Sequence, residues 1–164
     1  MNKHFAARQT AHVLGFAGLI PFVLLSVGCW LVHPDWLGYL VSAQMTYAVA
    51  ILSFLGAVHW GAALLSSHLT SERTKLALLW GVSPSLIAVG ASPLLSQVFS
   101  QLLTGIGFAV VTATFVLVYL IDKRMFAWYP LPDWLLPLRF KLTCVVVASL
   151  ASTFLAVNLR AWAG

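Results

Sequence analysis

One histidine stands inside a stretch that is otherwise suited to a membrane interior. The stretch SFLGAVHWGAAL, residues 53–64, is small and apolar on both sides of His59, which Trp60 follows directly. An imidazole ionises near neutral pH, so a histidine inside a membrane helix is a candidate for binding or moving protons. It also needs a hydrogen-bond partner, because water is scarce at that depth. His59 is therefore the first candidate site residue.

A proline-containing segment offers this histidine a partner. In WGVSPSLIA, Pro84 has no N–H to donate to the carbonyl of Trp80, four residues earlier. A short link joins this segment to the one that carries His59, so the two helices should be antiparallel neighbours. Folding the chain at that link places His59 opposite Ser83. We expect a neutral imidazole that donates a hydrogen bond to the Trp80 carbonyl or to the Ser83 hydroxyl.

A second polar pair is predicted nearer the C-terminus. Asp122 and Arg139 bound the stretch DKRMFAWYPLPDWLLPLR, whose three prolines indicate a loop between the last two apolar segments. Both residues should lie where these segments leave the membrane, so we expect their side chains to form an ion pair. In a solvated position such a pair would contribute under about 1 kcal/mol.

The sequence lacks the usual motifs of enzymes and metal sites. Its four acidic residues are all predicted at the membrane surfaces, so no pair of carboxylates is available inside for acid–base catalysis. It contains no HExxH, no glycine-rich phosphate loop and no GxSxG. A serine activated by His59 stays open as an alternative, although no single serine stands out. We expect no catalytic residue, no metal site and no enzymatic activity.

Haem is a further alternative, because histidines on two helices can bind iron from opposite sides. His12 and His59 are both expected towards the same side of the membrane. His12 should lie at the membrane surface, whereas His59 should lie about 10 Å deeper at 1.5 Å per helical residue. The two ligands would have to face each other at one level, so the sequence predicts no haem and no other cofactor.

The composition places these residues in a membrane. Hydrophobic residues make up 61% of the 164-residue chain and charged residues only 8%, whereas soluble domains carry about 25% charged residues. A helix needs about 20 apolar residues to cross the hydrocarbon layer. Five segments are long enough and predict one all-α domain, residues 1–164, that forms a compact five-helix bundle. The predicted spans are residues 11–33, 40–66, 76–95, 102–121 and 140–159.

Basic residues are unevenly divided between the two sides that this topology creates. One side carries eight of the nine basic residues, namely Lys3, Arg8, Arg73, Lys75, Lys123, Arg124, Arg139 and Lys141. Cytoplasmic loops carry such an excess, so the N-terminus is predicted inside and the C-terminus, with Arg160, outside. The net charge of +5 does not indicate nucleic-acid binding, since these residues are spread over the ends of the apolar segments. The predicted surroundings are the lipid bilayer of a bacterial inner membrane.

Small residues at four-residue spacing predict how the helices pack, because they let two backbones approach closely. Three such seams are expected to face neighbouring helices inside the bundle. They are Ser53, Ala57 and Gly61 in the second span, Gly105, Ala109 and Ala113 in the fourth, and Ala148, Ser152 and Ala156 in the fifth.

Four stretches resemble the transmembrane-protein-sixty-nine family, a group of small membrane proteins classed as a domain of unknown function. They are LGFAGLIPF (14–22), YAVAILSFLGAVHWG (47–61), WGVSPSLIA (80–88) and LPLRFKLT (136–143). The resemblance covers most of the chain, is most specific around His59 and Trp60, and is weakest over residues 125–135. It implies a membrane location and a helical bundle, and it carries no known activity.

Two functions from different classes are consistent with these features. Short loops and the lack of catalytic motifs suit an accessory or scaffold protein that binds another membrane protein or a second copy of itself. The alternative is a conduit for protons or a small solute built on His59. A conduit would need an oligomer or a partner, because five helices leave little room for a pathway.

The predicted topology can be tested with single cysteines introduced along the chain. Cysteines at residues 70 and 130 should react with a membrane-impermeant reagent from the cytoplasmic side. Cysteines at residues 36 and 98 should react from the opposite side, because the intervening helices cross the bilayer. Labelling of all four positions from one side would show the topology to be wrong.

Overall fold

The computed structural model describes the backbone of residues 3–92 and 101–161. Within these ranges the chain forms six α-helices and a 3₁₀ turn, Phe126–Trp128. The helices are α1 (Lys3–Ala17), α2 (Ile20–Leu31), α3 (Pro34–Leu65), α4 (Ser71–Ala91), α5 (Gln101–Met125) and α6 (Leu135–Ala161). The fold class is therefore all-α, as the composition predicted.

Five helical stretches among the described residues are long and apolar enough to cross a membrane. They are Arg8–Leu31, Pro34–Leu65, Ser71–Ala91, Thr104–Trp128 and Leu135–Arg160. Each overlaps one predicted span, so the prediction of five membrane helices is confirmed. Residues 93–95 of the third predicted span lie outside the described residues.

The last two spans reach further into their connection than the sequence predicted. α5 continues past its predicted end to Met125, and α6 already begins at Leu135. Pro137 is tolerated because it lies in the first turn of α6, where backbone N–H groups have no helical acceptor. Asp122 and Arg139 consequently stand inside helices and not in a loop.

A proline divides the first span into α1 and α2. Pro21 has no N–H to donate to the carbonyl of Ala17, and α1 ends at Ala17 while α2 begins at Ile20. In this break the carbonyl of Gly18 accepts a hydrogen bond of 2.9 Å from the Tyr47 hydroxyl. A neighbouring helix thus satisfies a backbone group that the lipid could not.

The five spans form a closed ring in which each packs against two others. α3 contacts α2 and α4, α5 contacts α4 and α6, and α6 contacts α2, which closes the ring. The interior is filled by large apolar side chains, among which the most completely buried are Phe22, Leu52, Phe108, Val111, Phe115 and Leu150. The second span, α3, also contacts α5 and α6 across the ring.

The buried side of α3 has the periodicity of a packed helix. Residues at intervals of three or four are buried along its whole length, namely Val41, Met45, Ala48, Leu52, Gly56, His59 and Ala63. His59 therefore shares the buried face of α3 with Ala48, Leu52 and Gly56.

α3 and α4 approach each other most closely at two glycines. A Cβ atom at Gly56 would overlap the carbonyl oxygen of Gly81, and one at Gly81 would overlap the indole of Trp60. Only residues without a side chain fit at this crossing. Trp60 also donates a hydrogen bond of 2.8 Å from its indole N–H to the Leu78 carbonyl, which fixes the register of the two helices.

The small-residue seams predicted from four-residue spacing lie largely outside the bundle interior. Most of their members are exposed, namely Ser53, Ala57 and Gly61 on α3, Ala109 and Ala113 on α5, and Ala148 on α6. Gly105 and Ser152 are half-buried, and Ala156 is fully buried. Spacing determines which residues share a helix face, but the direction of that face depends on the neighbouring helices.

The glycine crossing can be tested by adding one methyl group. Replacing Gly56 with alanine should force α3 and α4 apart and lower the free energy of unfolding by about 1–3 kcal/mol, the usual cost of overpacking. Gly61→Ala is the matched control, because nothing lies within 4 Å of the added methyl group. Thermal denaturation in detergent would measure the stability of both variants. If Gly56→Ala were as stable as Gly61→Ala, the close approach of α3 and α4 at Gly56 would be contradicted.

Candidate functional site

His59, Asp122 and Arg139 meet inside one end of the bundle and are termed here the buried triad. His59 Nε2 lies 2.7 Å from Asp122 Oδ1, and Arg139 Nη2 donates to the other carboxylate oxygen, Oδ2. His59 and Asp122 are fully buried, and Arg139 is only 8% exposed. The three residues belong to α3, α5 and α6, so one carboxylate links three spans.

Each member of the triad lies close to the end of its helix. His59 comes shortly before Leu65 at the end of α3, and Asp122 comes shortly before Met125 at the end of α5. Arg139 stands in the second turn of α6. At 1.5 Å per residue, all three Cα atoms lie within about 9 Å of these helix ends. The triad therefore belongs to one end of the bundle and not to its centre.

Two aromatic residues from the connection after α5 cover the triad. The Tyr129 hydroxyl lies 3.4 Å from His59 Nδ1, and the centroid of the Phe126 ring lies 5.8 Å from that of the imidazole. The Arg139 guanidinium lies 5.6 Å from the centroid of the same Phe126 ring, in a cation–π arrangement. Both aromatic residues are buried, so they separate the triad from the surface.

The Tyr129 hydroxyl determines which tautomer of His59 fits the site. Burial raises the pKa of the Tyr129 hydroxyl above its usual range, and the negative charge of Asp122 raises it further. A protonated hydroxyl can donate to Nδ1, and the tautomer that accepts this bond carries its proton on Nε2, facing Asp122.

The structure corrects the hydrogen-bond partners expected for His59. The sequence pointed to the Trp80 carbonyl or the Ser83 hydroxyl, whereas the imidazole contacts Asp122 and the Tyr129 hydroxyl. The Ser83 hydroxyl instead donates to a carbonyl of its own helix, one turn earlier, at 2.8 Å. The imidazole thus joins α3 to α5 and its connection, and not to α4.

The register between α3 and α4 explains this difference. α4 packs against the side of α3 that carries Gly56 and Trp60, and it is shifted by about one turn from the arrangement that the short link suggested. Pro84 is buried in α4, and Trp80 is half-buried with an indole N–H that has no hydrogen-bond partner among the described groups. In the sequence these residues flank Gly81 of the glycine crossing, whereas His59 contacts Asp122 of α5.

Asp122 and Arg139 are brought together as the sequence predicted, but inside the bundle and not in contact with solvent. Asp122 was expected at the membrane interface, where its surroundings would be solvated, whereas it is fully buried because α5 continues beyond it. The sequence prediction did not include Tyr129 in the site. The spacing of the residues could have indicated it, because Asp122, Phe126 and Tyr129 follow one another at intervals of four and three, which place residues on one helix face.

A second buried polar cluster lies about 22 Å from the triad along α3. Thr153 Oγ1 is 2.6 Å from Gln44 Oε1 and 3.1 Å from the Ser149 carbonyl. Gln44 Nε2 is buried without a hydrogen-bond partner among the described residues. This cluster joins α3 to α6 at the opposite end from the triad.

The parts of the chain that the structure describes hold no group of three or more histidine, cysteine, aspartate or glutamate residues placed to bind a metal ion. His12, the second histidine considered for haem, has its ring 5.5 Å from that of Trp134. Its Nδ1 is 2.8 Å from the Arg8 carbonyl, within the same helix. His12 and His59 therefore have separate surroundings.

Comparison with known proteins shows where the sequence belongs. Residues 7–155 match the family described as Protein of unknown function (DUF3429). The chain belongs to this family. All three residues of the buried triad lie within the matched range, so they are part of the DUF3429 region itself.

The chain is similar to Transmembrane protein 69 of Xenopus tropicalis. It is 32% identical to the chain over 154 residues, which are 91% of this chain and 55% of the frog protein. The chain thus spans about half the length of the curated relative that it matches. The resemblance seen in the sequence is confirmed, and the DUF3429 chain is an integral membrane protein of unknown activity. No solved structure matches it.

Removing one charge from the triad should destabilise the bundle more than removing both. Asp122→Ala leaves the Arg139 charge buried without its partner and should lower the free energy of unfolding by about 3–5 kcal/mol. Asp122→Leu combined with Arg139→Met replaces both charges with apolar groups and should recover most of this loss. Denaturation in detergent at neutral pH would measure the stability of the unaltered chain, of Asp122→Ala and of the double variant.

The chain offers a matched control for this experiment. His33 Nδ1 and Asp35 Oδ2 are 3.2 Å apart, but both side chains are largely exposed. Asp35→Ala should therefore change the stability by less than about 1 kcal/mol. If Asp122→Ala were no more destabilising than Asp35→Ala, the triad would not hold the three helices together.

Proposed function

We propose that this chain is a membrane accessory protein without enzymatic activity, which binds a transmembrane helix of another protein or of a second copy. The support for this proposal is an open groove between α5 and α6. The groove has a volume of about 380 Å³, and small residues form much of its lining, namely Gly105, Ala109, Ala113 and Ala151. Phe108 and Phe154 also line it.

Small residues matter here because lipid removes the hydrophobic drive between membrane helices. Association then depends on close van der Waals contact and on hydrogen bonds between helices, and small side chains allow the backbones to approach. Gly105, Ala109 and Ala113 have the spacing of a helix-packing seam. The bundle's own helices leave Ala109 and Ala113 exposed, so this seam is available to a helix from outside.

A second groove lies on the other side of α6, against α2, and supports the same role. It also has a volume of about 380 Å³, and its lining includes Ser26, Ala148, Ser149 and Ser152. Hydroxyl groups in a membrane groove can form hydrogen bonds with a partner helix. Grooves on both sides of α6 suit a protein that is assembled with others.

We also propose the membrane orientation and the location that the sequence predicted. The N-terminus lies inside and the C-terminus outside, on the support of the eight-to-one division of basic residues. The proposed location is a bacterial inner membrane. A catalytic role is not proposed, because Phe126 and Tyr129 cover the imidazole of His59.

One observation favours the alternative function, a proton conduit. A histidine and an aspartate that share a hydrogen bond inside a membrane protein can exchange protons. A conduit also needs polar groups or water along its length. Between the triad and Gln44 the interior is filled by apolar side chains such as Leu52, Val111 and Leu150. The geometry therefore supports the accessory function better.

The groove can be tested by filling it. Ala109→Leu should reduce the recovery of specific partners by roughly fivefold, equivalent to a loss of about 1 kcal/mol of binding. Ala57→Leu is the matched control, because Ala57 is exposed on α3, outside the lining of either groove. Tagged chains would be cross-linked in native membranes, purified and quantified by mass spectrometry, alongside a second copy with a different tag.

Two results would contradict the proposal. Recovery of the same proteins in the same amounts with Ala109→Leu and with Ala57→Leu would show that the groove binds no partner. Proton flux across liposomes that the unaltered chain supports and His59→Gln abolishes would favour the conduit instead, because glutamine keeps a hydrogen-bond donor but does not titrate.

A further inference from the structure

A cavity of about 130 Å³ lies beside the triad, between the break in the first span and α6. Its lining is mainly apolar and comes from both halves of the first span and from α3, α5 and α6, with Phe22, Ile51, Phe115 and Val146 among its members. Arg139 also lines it, so one residue of the triad faces this cavity. Neither the accessory function nor the hydrogen bonds of the triad account for this space.

The cavity exists because the first span is broken there. Gly15 and Gly18 lie on the two sides of the end of α1 and both line the cavity. A Cβ atom at Gly15 would lie 3.1 Å from Leu142, so even a methyl group would crowd that side chain. Gly15 therefore lets the end of α1 pack closely against α6, and the remaining space lies where Pro21 breaks the first span.

The cavity opens sideways towards lipid. Leu14 and Phe54 line it and are each 65% exposed. Leu14 belongs to the first candidate membrane span and Phe54 to the second. An opening between two membrane spans faces the acyl chains of the bilayer, so the molecule that enters comes from there.

We propose that this cavity binds one ester-linked glycerolipid of the bilayer. A segment of one acyl chain fills the apolar part, and an ester carbonyl accepts a hydrogen bond from Arg139. The volume supports a chain segment as the occupant, because an apolar protein cavity of about 150 Å³ takes up a molecule of the size of benzene. Along α6 the lining runs from Arg139 to Val146, about 10 Å at 1.5 Å per residue.

Arg139 can supply the polar contact that selects this occupant. A guanidinium carries five N–H donors, and the hydrogen bond described for Arg139 uses Nη2, towards Asp122. Hydrocarbon gains little from moving between lipid and an apolar cavity, so specificity must come from such a polar bond. A neutral ester suits the site better than an anion, because Asp122 already balances the charge of Arg139.

The experiment uses the full chain in nanodiscs of phosphatidylcholine. A small fraction of the lipid is an ester-linked phosphatidylcholine with a photoreactive diazirine on one acyl chain, near the ester. After illumination, labelled residues are located by peptide mass spectrometry. Leu142 lines the cavity, whereas Phe140 is exposed at a similar depth on the same helix. Labelling of Leu142 should exceed that of Phe140 roughly fivefold, the ratio that about 1 kcal/mol of preference produces.

Filling the cavity should abolish this preference. Val146→Phe and Ile51→Phe each place a larger side chain in the lining and should reduce the labelling of Leu142 to the level of Phe140. Val82→Phe is the matched control, because Val82 is exposed on α4, outside the lining of this cavity and of both grooves. Thermal denaturation of each variant shows whether it is folded. Because two variants fill the cavity, the test still works if one of them does not fold.

The role of Arg139 is tested on the unaltered chain. An ether-linked lipid with the same diazirine lacks the carbonyl oxygens and should label Leu142 several-fold less than the ester lipid. Equal labelling by the two lipids would overturn the contact with Arg139. Labelling of Leu142 no stronger than that of Phe140, with either lipid, would overturn the site itself.

Discussion

The carboxylate of Asp122 joins three helices at a depth where water cannot replace its partners. A buried carboxylate is costly unless its charge is balanced and its oxygens accept hydrogen bonds. Arg139 from α6 and His59 from α3 meet both needs. The loss of any one member leaves another unsatisfied, so this interaction fixes how α3, α5 and α6 lie against one another. The aromatic side chains of the following connection then close over it.

The rest of the bundle is organised around that fixed end. α3 contacts all four other spans, because α2 and α4 are its neighbours in the ring and it also reaches α5 and α6. Its crossing with α4 depends on Gly56 and Gly81, where the backbones meet without side chains. At the far end, Thr153 and Gln44 join α3 to α6 again. The triad, the contact between Gln44 and Thr153, and the glycine crossing thus help to hold the mainly apolar interior in register.

A bundle held in this way can leave other surfaces open. Small residues of α5 and α6 line two open grooves, which we propose to bind helices from outside. The cavity beside the break at Pro21 is the proposed lipid site, and Arg139 connects it to the triad. Binding of lipid and binding of a partner would therefore act on the same helix, α6, from different sides.

The five spans, the helical fold and the family could be predicted from the sequence, because apolar length and local motifs are properties of short stretches. The pairing of Asp122 with Arg139 also followed from their positions at either end of one connection. The hydrogen-bond partner of His59 could not be predicted in this way. Neither could the position of Tyr129 beside His59 or the exposure of Ala109 on the outside of the bundle. One helical turn advances about 5.4 Å along the axis, so a shift of one turn in the contact of α3 with α4 takes Ser83 and the Trp80 carbonyl away from His59. That shift is determined by how the two helices pack at Gly56, Gly81 and Trp60, which no single stretch of the sequence contains.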